Sequence, residues 1–338
     1  MENKVISRIE SLISYLQANK DRLTIDTDTH PTDLDLLSDE IKAKYESTPN
    51  YYQGRPISTG ELLLEMNMAK VDMALCWQNP AAFSYSNDID KNYNKLLAAN
   101  QHIFESAQAF PKRIIPAGWT DPKALGIDNA LKLVDHLMLS YGFFIVKMNP
   151  AQNAYPIDSE DVIKVMERIV GHGGVPAFHY GGDTQYTPPE GLETLAKRFS
   201  NNPIIAVHMG GGGSGYIEGE TTYLKTRELG LKYPNLKFAI SAKRDTHIES
   251  DIITYQLKGS PFSTNLFCAS DAPYGRQTWN FGGFNFMLDA MIDSSKHTDR
   301  RVRDNPHKFD ENLRRNILGR NFAEFVIEFY SNFLEKRR

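Results

Sequence analysis

Short apolar runs recur along the chain at fairly even spacing. They cover residues 23–29, 71–77, 113–119, 143–148, 176–180, 204–209, 236–241 and 266–270. The stretches 60–70, 101–110, 129–141, 159–170, 189–199, 222–233 and 250–257 lie between them and carry a helix-like pattern. Short runs alternating with helices predict parallel strands joined by crossover helices. Eight such units favour a closed (β/α)8 TIM barrel over an open sheet.

Three further segments frame that barrel. Residues 1–22 read as an N-terminal helix with Val5, Ile6, Ile9, Leu12, Ile13 and Leu16 on one face. Such a helix either docks on the body or another subunit, or simply covers the surface of its own domain. Residues 307–338 read as C-terminal helices covering the barrel, after a break at Asn305 and Pro306. Residues 31–59 follow the first strand and carry Tyr51, Tyr52 and Arg55. A connection of that length is read as a lid over the barrel mouth, with a surface excursion as the competing view. No Pro/Gly/Ser linker divides the chain, so 1–338 is expected to form one domain.

Composition narrows the partners. The chain is 41% hydrophobic with a net charge of -4, and it lacks a basic block or an aromatic-basic stripe. Nucleic acid is therefore not expected as a partner. The apolar runs are too short to span a bilayer, and the first residues lack the apolar core of a secretory signal. The two cysteines, Cys76 and Cys268, sit in apolar runs. They read as small core residues of a protein kept in a reducing, cytoplasmic compartment, with a nucleophilic thiol as the alternative.

In a barrel of this kind chemistry gathers at the C-terminal ends of the strands. Reading those ends gives Asp26-Thr27-Asp28-Thr29-His30 on the first strand, Lys147 on the fourth, His179 on the fifth, His208 on the sixth and Asp271 on the eighth. Taken singly, each is a common structural residue. Together, Lys147 apart, they are imidazoles and carboxylates arriving at one mouth, the donor set of a zinc, manganese or iron site. Asp28 and His30 are two apart, so both side chains can face one side of a strand. The other histidines, His102, His136, His172, His247, His297 and His307, mostly fall in helices or loops and read as structural, with His247 the one to watch.

Positive and aromatic groups cluster near the same ends. Lys243 and Arg244 follow the seventh strand, Arg276 follows Asp271, and Arg55 lies in the lid segment. Arginine suits bidentate carboxylate recognition, so an anionic small molecule is the expected ligand, with Arg244 the leading contact. Trp77, Trp119, Tyr180 and Tyr274 could line the pocket as an aromatic wall, or be ordinary packed aromatics. The run Gly210-Gly211-Gly212-Gly213-Ser214-Gly215 lacks the Gly-Lys-Ser/Thr of a phosphate loop and fits no nucleophile elbow at Ser214. It reads as a turn giving backbone room beside His208.

The segments TIDTDTH (24–30), VPAFHYGG (175–182), IIAVHMGG (204–211), YPNLKFAIS (233–241), FCASDAPYG (267–275) and NILGRNFAEFV (316–326) resemble the amidohydrolase-related family. The likeness is to the branch holding aminocarboxymuconate semialdehyde decarboxylase, resorcylate-type decarboxylases and lactonases. It implies one divalent metal ion, zinc foremost with manganese or iron as alternatives. Its ligands would be His30, His179 and Asp271, with Asp28 in the other first-strand position. It further implies His208 beside the bound water or substrate and Asp271 as the proton acceptor. Asp28 is a departure: hydrolytic members usually carry His-x-His there and several decarboxylases Glu-x-His. Lys147 occupies a position comparable to the carboxylated lysine of binuclear members. The mononuclear reading is preferred, with Lys147 contacting an anionic substrate as a middle option.

The resemblance thus implies a metal-dependent hydrolase of a small carboxylated lactone, ester or amide, acting through an activated water. The alternative is a non-oxidative decarboxylase of an aromatic or unsaturated acid. A catalytically silent binding barrel is the third reading, supported only by the altered Asp28. Homodimers are common among similar proteins, which makes a homodimer the candidate assembly, though nothing in the sequence establishes one.

Overall fold

A computed structural model of the chain describes residues 2–47, 55–82, 84–181, 185–211, 220–243 and 245–336. Its strands, in chain order, are β1 (Ile25–Thr29), β2 (Met73–Cys76), β3 (Ile114–Pro116), β4 (Gly118–Trp119), β5 (Ile145–Met148), β6 (Val175–His179), β7 (Ile204–Val207), β8 (Leu236–Ile240) and β9 (Leu266–Cys268). Every ladder is parallel, in the orders β1-β2-β3 and β4-β5-β6-β7-β8-β9. β3 and β4 are two halves of one stave. Ala117, between them, donates its N–H to Cys76 O at 2.9 Å, and Thr120 beyond them donates to Lys147 O at 3.0 Å. The ring closes between the last strand and the first: Thr27 Oγ1 donates to Cys268 O at 2.9 Å, and His30 N donates to Ala272 O at 2.7 Å.

Helices cover the outside and a packed interior fills the barrel, so almost every strand residue is buried. This is why most strands read as apolar runs rather than alternating ones, whereas β1, Ile-Asp-Thr-Asp-Thr, is just as buried but polar at four of its five positions. The first crossover helix, Thr59–Ala69, starts at a capping box. Ser58 Oγ accepts from Glu61 N, and Glu61 reaches back to Ser58 N. The helix Glu160–Gly171 is capped at its start by Ser159.

The N-terminal helix Glu2–Asn19 buries Val5, Ile9, Leu12, Ile13 and Leu16, and packs on the C-terminal helix Asn321–Glu335. The segment after β1 is not a plain loop. It holds a 3-10 turn, Leu34–Leu36, and a helix, Asp39–Ser47. Thr32 N donates to Ile57 O at 2.7 Å, which draws the two ends of the excursion together. Tyr51 and Tyr52 lie outside the described residues.

Two backbone features shape the mouth. β1 pairs Asp26 with Ala74 and Thr29 with Cys76, so it spends one extra residue between them. That bulge falls on Thr27 and Asp28, where it re-aims side chains at the strand end. In addition, His208 (φ 73°), Ala242 (φ 49°) and Asp271 (φ 60°) adopt left-handed backbone just past β7, β8 and β9. Non-glycine residues rarely do so, and such conformations concentrate at functional sites.

Candidate metal centre

Asp28 engages partners from three other strands or strand ends at the mouth. Its carboxylate is fully buried. Oδ1 accepts from Trp77 Nε1 at 2.8 Å and from Lys147 Nζ at 3.1 Å, and Oδ2 accepts from Ser241 Oγ at 3.1 Å. Burial alone would raise its pKa, but the Lys147 charge and the contact with His30 hold it well below the usual carboxylate range. Lys147 is buried too, its ammonium 4.1 Å from the centre of the Trp77 ring and 5.2 Å from that of Trp119.

His30 is fixed by its far nitrogen. Nδ1 lies 2.9 Å from the carbonyl of Gln78, which can only accept, so Nδ1 carries a proton and Nε2 faces the mouth. Nε2 is 3.3 Å from Asp28 Oδ1 and 3.5 Å from Asp271 Oδ1. The ring is enclosed by Trp77, Trp119 and Tyr274, with centroids 6.3, 6.1 and 5.8 Å away.

Among the described residues, Asp28, His30 and Asp271 form one group whose ligand atoms all lie within 4.8 Å of one another. Two ligands of a tetrahedral ion bound at about 2.1 Å stand about 3.4 Å apart. The two spacings at His30 Nε2 match that edge, and the carboxylate–imidazole donor set suits a divalent ion. A carbonyl holding the far nitrogen of a ligating histidine is the usual outer arrangement of such sites. The residues present therefore fit a metal ion.

His179 stands outside that triplet. Its Nδ1 is 3.2 Å from His208 Nε2, and the two rings meet edge to face at 4.6 Å. Burial, followed by the charges of His208 and Lys147, pushes His179 well below its ordinary pKa, and burial also lowers His208. Behind them, His208 Nδ1 meets Ser241 Oγ at 2.8 Å. The backbone packs closely here. A Cβ on Gly181 would lie 2.3 Å from Gly211 O, so only glycine fits beside His208.

The expected substrate contacts divide. Lys147 and Trp77 are at the centre, bound to Asp28. Tyr274 edges onto His30 and donates its hydroxyl to Asn79 Oδ1 at 2.8 Å. Tyr180 is buried, with its hydroxyl 3.4 Å from Thr226 Oγ1. Arg55 is drawn to Glu61 at 3.2 Å and stacks on the Tyr45 ring. Arg276 pairs with Glu65 at 3.0 Å. Lys243 is buried against Asp251 at 2.6 Å. Arg244 and residues 212–215 lie outside the described residues. His247 stacks on Tyr223 at 4.2 Å, in the same buried cluster as Lys243. Cys76 and Cys268 are free and buried, and burial pushes the Cys76 thiol up to about 12, which suits core residues rather than nucleophiles.

Sequence reasoning missed Asp26, Gln78 and Ser241. Asp26 accepts from Ser270 N at 2.9 Å and Gln277 Nε2 at 2.8 Å, tying β1 to the loop that carries Asp271. Burial raises its pKa to about 7. The Asp-x-Asp spacing made it visible, though not its task.

The amidohydrolase family model matches residues 25–278, and the chain belongs to that family. No curated protein matches it. Similar folds occur in 5-carboxyvanillate decarboxylase from Novosphingobium aromaticivorans, solved with manganese and 4-hydroxy-3-methoxy-5-nitrobenzoic acid (TM-score 0.64, 12% identity, 91% of this chain and 97% of that one). 5-Carboxyvanillate decarboxylase from Sphingomonas paucimobilis is similar as well (0.61, 16%, 90% and 98%). So is a probable 2-pyrone-4,6-dicarboxylic acid hydrolase from Acinetobacter baumannii with citric acid bound (0.57, 15%, 90% and 98%). The (β/α)8 barrel is thus the shared fold, and both reaction types occur on it.

Proposed function

We propose that this chain is a metal-dependent hydrolase of a small carboxylated substrate, a lactone, ester or amide. The observation that carries the reading is the convergence of Asp28, His30 and Asp271 on one ion-sized point, with Asp271 the member that keeps an open side, at 14% exposure. The ion would be held by Asp28, His30 and Asp271, with His179 supplying Nε2, and zinc is the leading identity. When bound, such an ion lowers the pKa of a water and polarises a carbonyl. Asp271, on the open side of the proposed centre, would accept the proton lost during attack. His208 is less suited to that task, because its two ring nitrogens face Ser241 and His179. Its role is to back His179. With Asp28 and Asp271 ionised, Lys147 protonated and a divalent ion present, the centre carries about one positive charge, which favours a carboxylate-bearing ligand.

Asp28 favours a second reading, non-oxidative decarboxylation, since a carboxylate at this position resembles the decarboxylase pattern. The neighbours that act on aromatic carboxylates support it. One assay separates the two: the zinc- or manganese-loaded chain is offered lactones, esters, amides and hydroxybenzoates, and carbon dioxide and ring-opened acid are measured together. Acid without carbon dioxide supports hydrolysis, carbon dioxide without hydrolysis supports the alternative, and neither from any substrate refutes both.

A further inference from the structure

Four polar groups at the mouth form one continuous line. Asp28 Oδ2 is 3.1 Å from Ser241 Oγ, which is 2.8 Å from His208 Nδ1. His208 Nε2 is in turn 3.2 Å from His179 Nδ1. His208 Nδ1 is 3.9 Å from Asp28 Oδ2, too far for a direct bond, so the hydroxyl is the link between them.

The direction of each bond follows from what its members can do. An ionised carboxylate only accepts, so Ser241 donates its proton to Asp28. Having spent its one proton, Ser241 Oγ must accept from His208 Nδ1–H. A neutral imidazole protonated at Nδ1 offers a lone pair at Nε2, which accepts from His179 Nδ1–H. His179 then carries its single proton on Nδ1 and keeps a lone pair on Nε2. We propose that Ser241 is a positioning residue that fixes the tautomers of His208 and His179 and so prepares His179 Nε2 as a metal ligand.

The relay fixes a sign that a merely packed serine would not. Asp28→Asn reverses it. The asparagine carbonyl keeps the place of Oδ1, where Trp77 and Lys147 both donate, and the amide nitrogen falls at Oδ2 and donates to Ser241. Ser241 then donates to His208 Nδ1, His208 donates from Nε2 to His179 Nδ1, and His179 carries its proton on Nε2. Each histidine holds one proton in both states, and only its position changes.

The test reads these protons on the full chain labelled with 15N at histidine, using two-bond 1H–15N correlation spectra before and after zinc. His179→Gln and His208→Gln assign the signals. The Nδ1–H pattern is expected for both rings in the metal-free parent chain, and the Nε2–H pattern for both in Asp28→Asn. In Ser241→Ala, His208 loses its fixed pattern, His30 keeps its own through Gln78, and zinc affinity falls about tenfold. A parent spectrum with His208 protonated at Nε2, or a Ser241→Ala spectrum unchanged at His208 and His179, overturns the proposal, and the first of these needs no variant to fold. Only the last link rests on the metal reading above. If the parent chain shows both Nδ1–H patterns but takes up no zinc, the metal reading fails and the tautomer relay stands.

Discussion

Lys147 Nζ lies 3.1 Å from Asp28 Oδ1, and neither side chain touches solvent. Removing one member of such a pair strands the other charge in a low-dielectric interior. Lys147→Met is therefore expected to cost about 3–5 kcal/mol in urea unfolding. Zinc should restore part of that loss, because a divalent ion supplies the missing positive charge beside Asp28 and binds only the folded chain. A loss below about 1 kcal/mol would show that the pair is idle.

The indole of Trp77 contributes one hydrogen bond to the same oxygen, at 2.8 Å. Trp77→Phe keeps most of the ring and deletes that donor. Bonds to ionised groups contribute roughly 1.5–3 kcal/mol, so a loss in that range is expected by thermal unfolding. An unchanged midpoint would mean that Asp28 is held without Trp77.

His30→Ala and Asp271→Ala each remove a member of the ion-sized triplet, and His179→Ala removes the fourth proposed ligand. Each variant should bind less than one zinc per chain by elemental analysis and lose turnover, with circular dichroism near that of the parent. Full metal content in all three variants would refute the assignment of the centre.

Lys243 gives a pH signature away from the metal. Burial, opposed by Asp251, lowers its pKa from 10.5 to about 8. The folded chain thus releases this proton at lower pH than the unfolded chain does. Between about pH 8 and 10.5 the unfolded state binds more protons, so this group adds stability as pH rises through that window. Below pH 8 the contribution is absent. Lys243→Met should flatten that part of the stability curve by up to about 3 kcal/mol. Parallel curves for parent and variant would exclude a strongly buried ammonium at 243.

Much of this architecture was legible because strands covered on both sides are mostly apolar, and such runs were visible between helical stretches, β1 with its buried Asp26 and Asp28 being the exception. The strand-end residues were legible for a related reason: carboxylates and imidazoles stand out against those runs. Other features depend on partners far along the chain. Ser241 meets Asp28 across 213 positions, a pairing that exists only once the barrel closes. The charges of Arg55, Arg276 and Lys243 were visible, but not that Glu61, Glu65 and Asp251 would engage them. The division of the third stave at Ala117 and the β1 bulge leave no mark in hydrophobic pattern, since neither changes which residues are buried.

The left-handed backbone at His208, Ala242 and Asp271 bears on how this chain could adapt. An L side chain in that conformation costs roughly 1–2 kcal/mol, which glycine would recover in part. Heat-driven selection blind to turnover would therefore press all three positions toward glycine. Ala242, whose methyl group carries no chemistry, is the one that could yield harmlessly. At 208 and 271 the same change would exchange an imidazole or a carboxylate for a more relaxed chain, so thermotolerance gained there would come from erasing the mouth itself.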